Sequence, residues 1–155
     1  MTQVSLNARV QHAHNASARD VARIDVLFHD IEERLIELFE QESQPLLVCA
    51  AWARATRVLR ALPAGSRLVC TNDVRLPTYE NIVARKVGRC RGSRRPLMHN
   101  KFIVAPGRWV ITGSYNLTAH SRLNCENVVV MHDERLAHLY ANEFEAIWQV
   151  ARNIT

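Results

Sequence analysis

Residues 97–112 constrain the fold more than any other stretch of this chain. Leu97–Ala105 and Trp109–Thr112 are two apolar, β-branched runs joined by Pro106-Gly107, the pattern of a β-hairpin. Around it, strand and helix patterns alternate. In "VARIDVLFH", Ala22, Ile24, Val26 and Phe28 alternate as in a strand. Asp30 precedes Glu33 in capping-box spacing, Ile31, Leu35, Leu38 and Phe39 share a helical face, and Pro45 stops that helix. "LLVCAAW" reads as a buried strand, Thr56–Leu62 as a short helix and "RLVCTN" as a further strand. Pro77–Lys86 suits a helix opened by proline, and the Gly- and Arg-rich segment 88–95 reads as loop. "NVVVM", residues 127–131, is another strand. After Asp133 as N-cap, Leu136, Leu139, Tyr140, Phe144, Ile147 and Trp148 form a stripe at helical spacing, which predicts a helix laid on the core. These patterns predict an α/β fold, a mixed β-sheet flanked by helices.

At 155 residues the chain is sized for one domain, read here as a polar N-terminal extension, 1–20, and a folded unit, 21–155. No run reaches the length of a membrane span, and the polar start lacks the apolar centre of a secretory signal, so a cytoplasmic protein without a membrane partner is expected. Cys49, Cys70, Cys90 and Cys125 are far apart with no C-x-x-C pair, which argues against a structural zinc site. Cys49 and Cys70 lie in apolar runs and read as small buried hydrophobes.

The net charge of +5 is unevenly placed. Arg85, Lys86, Arg89, Arg91, Arg94 and Arg95 crowd into residues 85–95 without an acid, leaving 14 basic residues elsewhere against 15 acidic ones. A local arginine-rich field of this kind fits a solvated loop and equally the footprint of a phosphate-backbone partner.

The hairpin carries the chemistry. His99 and Lys101 are two apart and so share one side of an extended strand, as do Ser114 and Asn116. A tight turn centred on Pro106-Gly107 sets His99 across from Ser114 and Lys101 across from Thr112. Lysine offers a point charge and asparagine two N–H donors for phosphate oxygens, while histidine can attack phosphorus or donate a proton near neutral pH. Such a histidine needs an acceptor on its second nitrogen, and Glu126, at the mouth of "NVVVM", is the best-placed carboxylate.

"HNK", eleven residues, then "GSYN", and "NCEN" before a strand resemble the H-x-K…G-S-x-N signature of the phospholipase D superfamily. The order of elements and the closing "YANEFEAIW" are similar to that family as well, so the resemblance covers most of residues 22–150. It implies a phospholipase D-like half-unit. This chain has one H-x-K, and its resemblance to the short Nuc-type and Zucchini-type endonucleases implies a homodimer with one site shared across the twofold axis. His99 would form a phosphohistidine, its counterpart would act as acid and base, and Lys101 and Asn116 would stabilise the charge. Glu126 and Ser114 would orient the imidazoles, and no cofactor or metal is implied. The reaction implied is metal-independent phosphodiester hydrolysis, with DNA or RNA favoured by the basic run. The alternatives are a lipid phosphodiesterase and an inactive nucleic-acid-binding dimer. The last is prompted by Pro106, which stands where the family has an aspartate.

Overall fold

The computed structural model describes residues 23–71, 76, 78–87 and 97–153. Its elements run β1 (Arg23–Leu27), α1 (Ile31–Glu40), β2 (Leu47–Ala50), α2 (Thr56–Ala61), β3 (Ser66–Thr71), β4 (Ile82–Val87), β5 (Lys101–Ala105) and β6 (Trp109–Gly113). A 3₁₀ turn (Ala119–Leu123), β7 (Val128–His132), α3 (Glu134–Val150) and a short β8 (Arg152–Asn153) complete the chain. The strands form one sheet in the order β1-β7-β6-β5-β2-β3-β4-β8, with parallel pairing only at β2–β3 and β3–β4.

The central strands read as unbroken apolar runs because both faces of the sheet are covered. Val48, Leu68, Ile103, Ile111 and Val130 face Leu35 and Phe39 of α1 and Val58 and Leu59 of α2. Leu47, Cys49, Val69, Phe102, Val104 and Val110 face Ala137, Phe144 and Trp148 of α3. The mixed sheet between helices is thus the architecture expected. Asp133 caps α3, accepting from the Leu136 N–H at 2.9 Å.

Four local expectations are corrected. Residues 82–87 form strand β4 rather than the end of a helix over Pro77–Lys86; Ile82, Val83 and Val87 are β-branched and pair in parallel with the otherwise open side of β3. Asn81 fixes the approach, donating from Nδ2 to the Leu59 and Leu62 carbonyls at 3.0 and 2.7 Å at the end of α2. The capping box at Asp30 does not form: Asp30 adopts φ 50° with no side-chain cap, and Glu33 turns to Arg57 at 3.2 Å. Leu139 is exposed and Ala137 takes the core position, because the buried seam of α3 runs through Ala137, Phe144 and Trp148. Ile24 and Val26 of β1, and Phe28 just after it, face solvent, whereas α3 packs over β6, β5, β2 and β4.

The hairpin register also differs. A three-residue loop, Pro106-Gly107-Arg108, joins Ala105 to Trp109; the Arg108 N–H donates to the Ala105 carbonyl at 3.0 Å, and Gly107, the third residue of that turn, takes the φ of 72° that a type II turn demands there. The register runs Phe102↔Thr112 to Ala105↔Trp109, so Lys101 stands at the level of Gly113 rather than Thr112, and His99 precedes the strand. Glu42 anchors the hairpin tip, accepting from the Trp109 indole N–H at 2.7 Å and pairing with Arg108.

Candidate active site

The strand directions bring the chemistry to one end of the sheet. β2, β3, β4, β6 and β1 finish at that end, and β5 and β7 begin there. His99 and Lys101 therefore enter it from the start of β5, Ser114 and Asn116 leave it from the end of β6, and Glu126 precedes β7. The geometry brings together what the sequence distributes over residues 99–126.

Lys101 Nζ lies 2.9 Å from the His99 carbonyl oxygen, to which it donates, and 3.1 and 3.3 Å from the two imidazole nitrogens. His99 is exposed, whereas Lys101 is half-buried. Burial lowers the Lys101 pKa, and the carboxylate of Glu126 opposes that shift. A desolvated ammonium beside an exposed imidazole suits an arriving anion, which would restore the lost solvation.

Ser114 is fixed by β7. Its N–H donates to the Asn127 carbonyl at 3.0 Å, and the Asn127 N–H donates to Ser114 Oγ at 3.0 Å. Ser114 Oγ in turn donates to Glu126, whose other oxygen accepts from Asn124 Nδ2 at 3.1 Å. Gly113 permits this approach, because a Cβ there would meet the Asn127 carbonyl oxygen at 2.1 Å. Among the described residues, the hydrogen bonds recorded at Glu126 go to Ser114 and Asn124, not to His99. Asn116 Oδ1 is buried without a hydrogen-bond partner among the described residues. Tyr115, between the two signature residues, is buried, and that burial pushes its phenol up to about 12.

Two contributors escape the motif reading. Asn124 lies within "NCEN", where its proximity to Glu126 is the only signal. Trp52 lies just beyond β2, which pairs with β5, and its ring meets the His99 ring at 5.3 Å between centroids and 81° between planes. Only the pairing of distant strands reveals it.

The basic run divides. Arg85 packs its guanidinium 4.2 Å above the Trp148 ring and donates to the Trp148 carbonyl at 3.1 Å. These contacts give it a structural role beside the nucleic-acid-binding role expected from the sequence. Lys86 is half-buried on β4. Arg89, Arg91, Arg94 and Arg95 lie outside the described residues, although flanking Val87 and Leu97 stand at the same end of the sheet as His99. Among the described residues, no group of three or more His, Cys, Asp or Glu side chains is placed to hold a metal, and no helix is long and apolar enough to cross a membrane.

This arrangement has relatives. Residues 8–148 match the family model described as cardiolipin synthase, PLD-like domain. The chain is 30% identical over 128 residues to a mitochondrial cardiolipin hydrolase of Xenopus tropicalis, covering 74% of this chain and 59% of that protein. It is 42% identical over 100 residues to the Homo sapiens mitochondrial cardiolipin hydrolase, covering 62% and 40%. It thus spans between two and three fifths of the length of these two relatives. Among solved structures, NucT from Helicobacter pylori matches with a TM-score of 0.73 at 11% identity, covering 86% of this chain and 99% of that one. Nuc from Salmonella typhimurium, a phospholipase D family member, matches at 0.69 and 19%, covering 86% and 98%. At those identities the structures speak for the fold alone. The family model spans nearly the whole chain and includes His99, Lys101, Ser114 and Asn116 in their signature order, so the chain belongs to the phospholipase D superfamily.

Proposed function

We propose that this chain is a phosphodiesterase that hydrolyses nucleic acid through a phosphohistidine, in a site completed by a second copy of itself. The observation that carries the reading is the convergence of His99, Lys101, Ser114 and Asn116 at one end of the sheet. A nitrogen of His99 attacks phosphorus and the bond to the leaving oxygen breaks. His99 of the partner subunit gives that oxygen a proton and then takes one from water. The water oxygen attacks phosphorus, the P–N bond breaks, and both imidazoles return to their starting state. Lys101 and Asn116 supply the positive potential that a metal supplies in other phosphodiesterases, so the reaction proceeds without one.

The single H-x-K supports the dimer, since one imidazole cannot be at once the nucleophile and the acid for the same leaving group. Nucleic acid is favoured by the clustered cations of residues 85–95, whose described flanks, Val87 and Leu97, stand at the same end of the sheet as His99. A lipid substrate is the second reading. Two exposed apolar side chains favour it, Phe28 after β1 and Leu123 just before the Asn124–Glu126 pair, alongside the named activity of the cardiolipin hydrolase relatives.

The test is incubation in excess EDTA with plasmid, single-stranded oligonucleotides and cardiolipin vesicles, beside His99→Ala. Cleavage of nucleic acid that vanishes in the variant supports the proposal. Release of phosphatidic acid from vesicles, with nucleic acid untouched, moves the assignment to lipid. Salt-sensitive retention of DNA with no cleavage of any substrate makes the chain a binding module.

A further inference from the structure

We infer that Trp52 is a positioning residue for His99, its indole fixing the ring from which attack on phosphorus begins; this inference rests on the phosphodiesterase reading above. A nucleophilic imidazole needs its ring angle set, and a carboxylate on the second nitrogen is the common device. Within the protomer, among the described residues, the bonds of Glu126 go to Ser114 and Asn124, so a carboxylate on His99 would have to come from the second copy, and the groups that set the ring angle from its own chain lie elsewhere. Lys101 reaches the imidazole but has only N–H donors, so it cannot hold a protonated ring nitrogen as an acceptor would. Within the protomer an aromatic ring also meets the imidazole: Trp52 lies nearly perpendicular to it at 5.3 Å. Perpendicular aromatic pairs at this spacing have a preferred geometry, because the edge of one ring meets the electron-rich face of the other. Lys101 Nζ also lies 6.0 Å from the indole centroid, so one ring borders both members of the H-x-K pair.

Trp52 is itself well held. The neighbouring Ala53 bridges to Leu117, and the Arg54 and Ala55 N–H groups both donate to the Leu117 carbonyl at 2.6 and 2.7 Å. Leu117 directly follows Asn116. The loop bearing Trp52 is therefore tied to the loop bearing Asn116, and the indole transmits that reference frame to His99. A half-buried tryptophan packed on the core also has a plain structural role, so the test must separate the two.

The experiment compares wild type, Trp52→Phe and Trp52→Leu on two substrates, bis(p-nitrophenyl) phosphate and a single-stranded oligonucleotide. Thermal midpoints and the NMR signals of the His99 ring protons are recorded for each. Leucine keeps apolar bulk without a ring, whereas phenylalanine keeps the ring. The expected result is a kcat lower by about 10- to 100-fold for Trp52→Leu on both substrates, the scale of a misplaced reacting group, with KM held within about twofold. Trp52→Phe should keep kcat within about threefold of wild type, since an aromatic face remains. The ring-current shift on the His99 protons should persist in the phenylalanine variant and vanish in the leucine one. A Trp52→Leu kcat equal to wild type on bis(p-nitrophenyl) phosphate, with a raised KM for the oligonucleotide alone, overturns the inference and makes the indole a surface for stacking bases. Losses in kcat that follow the thermal midpoint equally in both variants make Trp52 merely structural. Wild type and His99→Ala equally inert on every phosphodiester defeat the phosphodiesterase reading itself, and the inference falls with it. An unchanged His99 ring signal in Trp52→Leu defeats the inference alone.

Discussion

Gly113→Ala tests the construction of the site at its tightest point. A Cβ at this position would lie 2.1 Å from the Asn127 carbonyl oxygen, 2.9 Å from Val128 Cα and 3.0 Å from the Asn127 carbonyl carbon. All three are backbone atoms of the adjoining chain, so no side chain can swing away, and β6 must move off the start of β7. Overpacking of that kind costs about 1–3 kcal/mol, and weakening one of the Ser114–Asn127 hydrogen bonds adds about 1 kcal/mol. At about 2–4 °C per kcal/mol for a domain of this size, the thermal midpoint should fall by roughly 4–16 °C. Activity should fall further than stability accounts for, since the same displacement carries Ser114 away from Glu126. Gly107→Ala is the control: its φ of 72° makes alanine strained, but nothing lies within 4 Å of the added methyl. It should cost about 1–2 kcal/mol and leave turnover of the folded protein intact. Circular dichroism melts and turnover below the transition measure both. A Gly113→Ala protein within about 2 °C of wild type, with unchanged turnover, would refute the claim that β7 clamps the signature loop.

Arg85→Ala should lower the thermal midpoint by about 2–6 °C through loss of the Trp148 contacts, while DNA retention on a filter at moderate salt stays near wild type. Retention that collapses with stability unchanged would make Arg85 chiefly a phosphate ligand. Burial pushes the Cys70 thiol from 9.0 up to about 11. Above the unfolded value the unfolded chain loses this proton while the folded chain keeps it, so stability falls as pH rises through that window, by up to about 3 kcal/mol. Urea midpoints on either side of the window should show the loss in wild type and a smaller one in Cys70→Ala. Equal slopes would refute the assignment.

Some readings that rest on neighbours in sequence hold well. The Asp133 cap and the helix behind it are set within a few residues, and the hairpin announces itself through Pro106-Gly107. Its register did not, because two-residue and three-residue loops look alike in sequence and only the Ala105↔Trp109 pairing separates them. What depends on distant partners is harder to read from the sequence. Residues 82–87 carry mixed helix and strand signals, and the waiting side of β3 decides between them. Arg85 looks like one member of a cation run until Trp148 arrives beneath it from the far end of the chain. Trp52 carries no motif, and its meeting with His99 exists only because β2 lies beside β5. The signature itself was legible because fixed spacing along β5 and β6 converts directly into proximity at one end of a hairpin.

The same geometry bears on Pro106, the departure that most favours an inactive protein. Pro106 is exposed at the hairpin tip, beyond the last residue of β5, while Lys101 is the first. At about 3.3 Å per residue the strand holds them roughly 16 Å apart, too far for a carboxylate at 106 to reach the phosphate pocket within the protomer. The neighbouring anchor is complete without it: Glu42 accepts from the Trp109 indole and pairs with Arg108. A proline entering this turn supplies its fixed φ where an aspartate would supply a local hydrogen bond. Pro106→Asp should therefore change the thermal midpoint by less than about 3 °C and leave kcat within about twofold, in whichever substrate class wild type turns over. A Pro106→Asp protein that gains activity by orders of magnitude over wild type would refute this, because the hairpin tip would then be coupled to His99 through the length of β5.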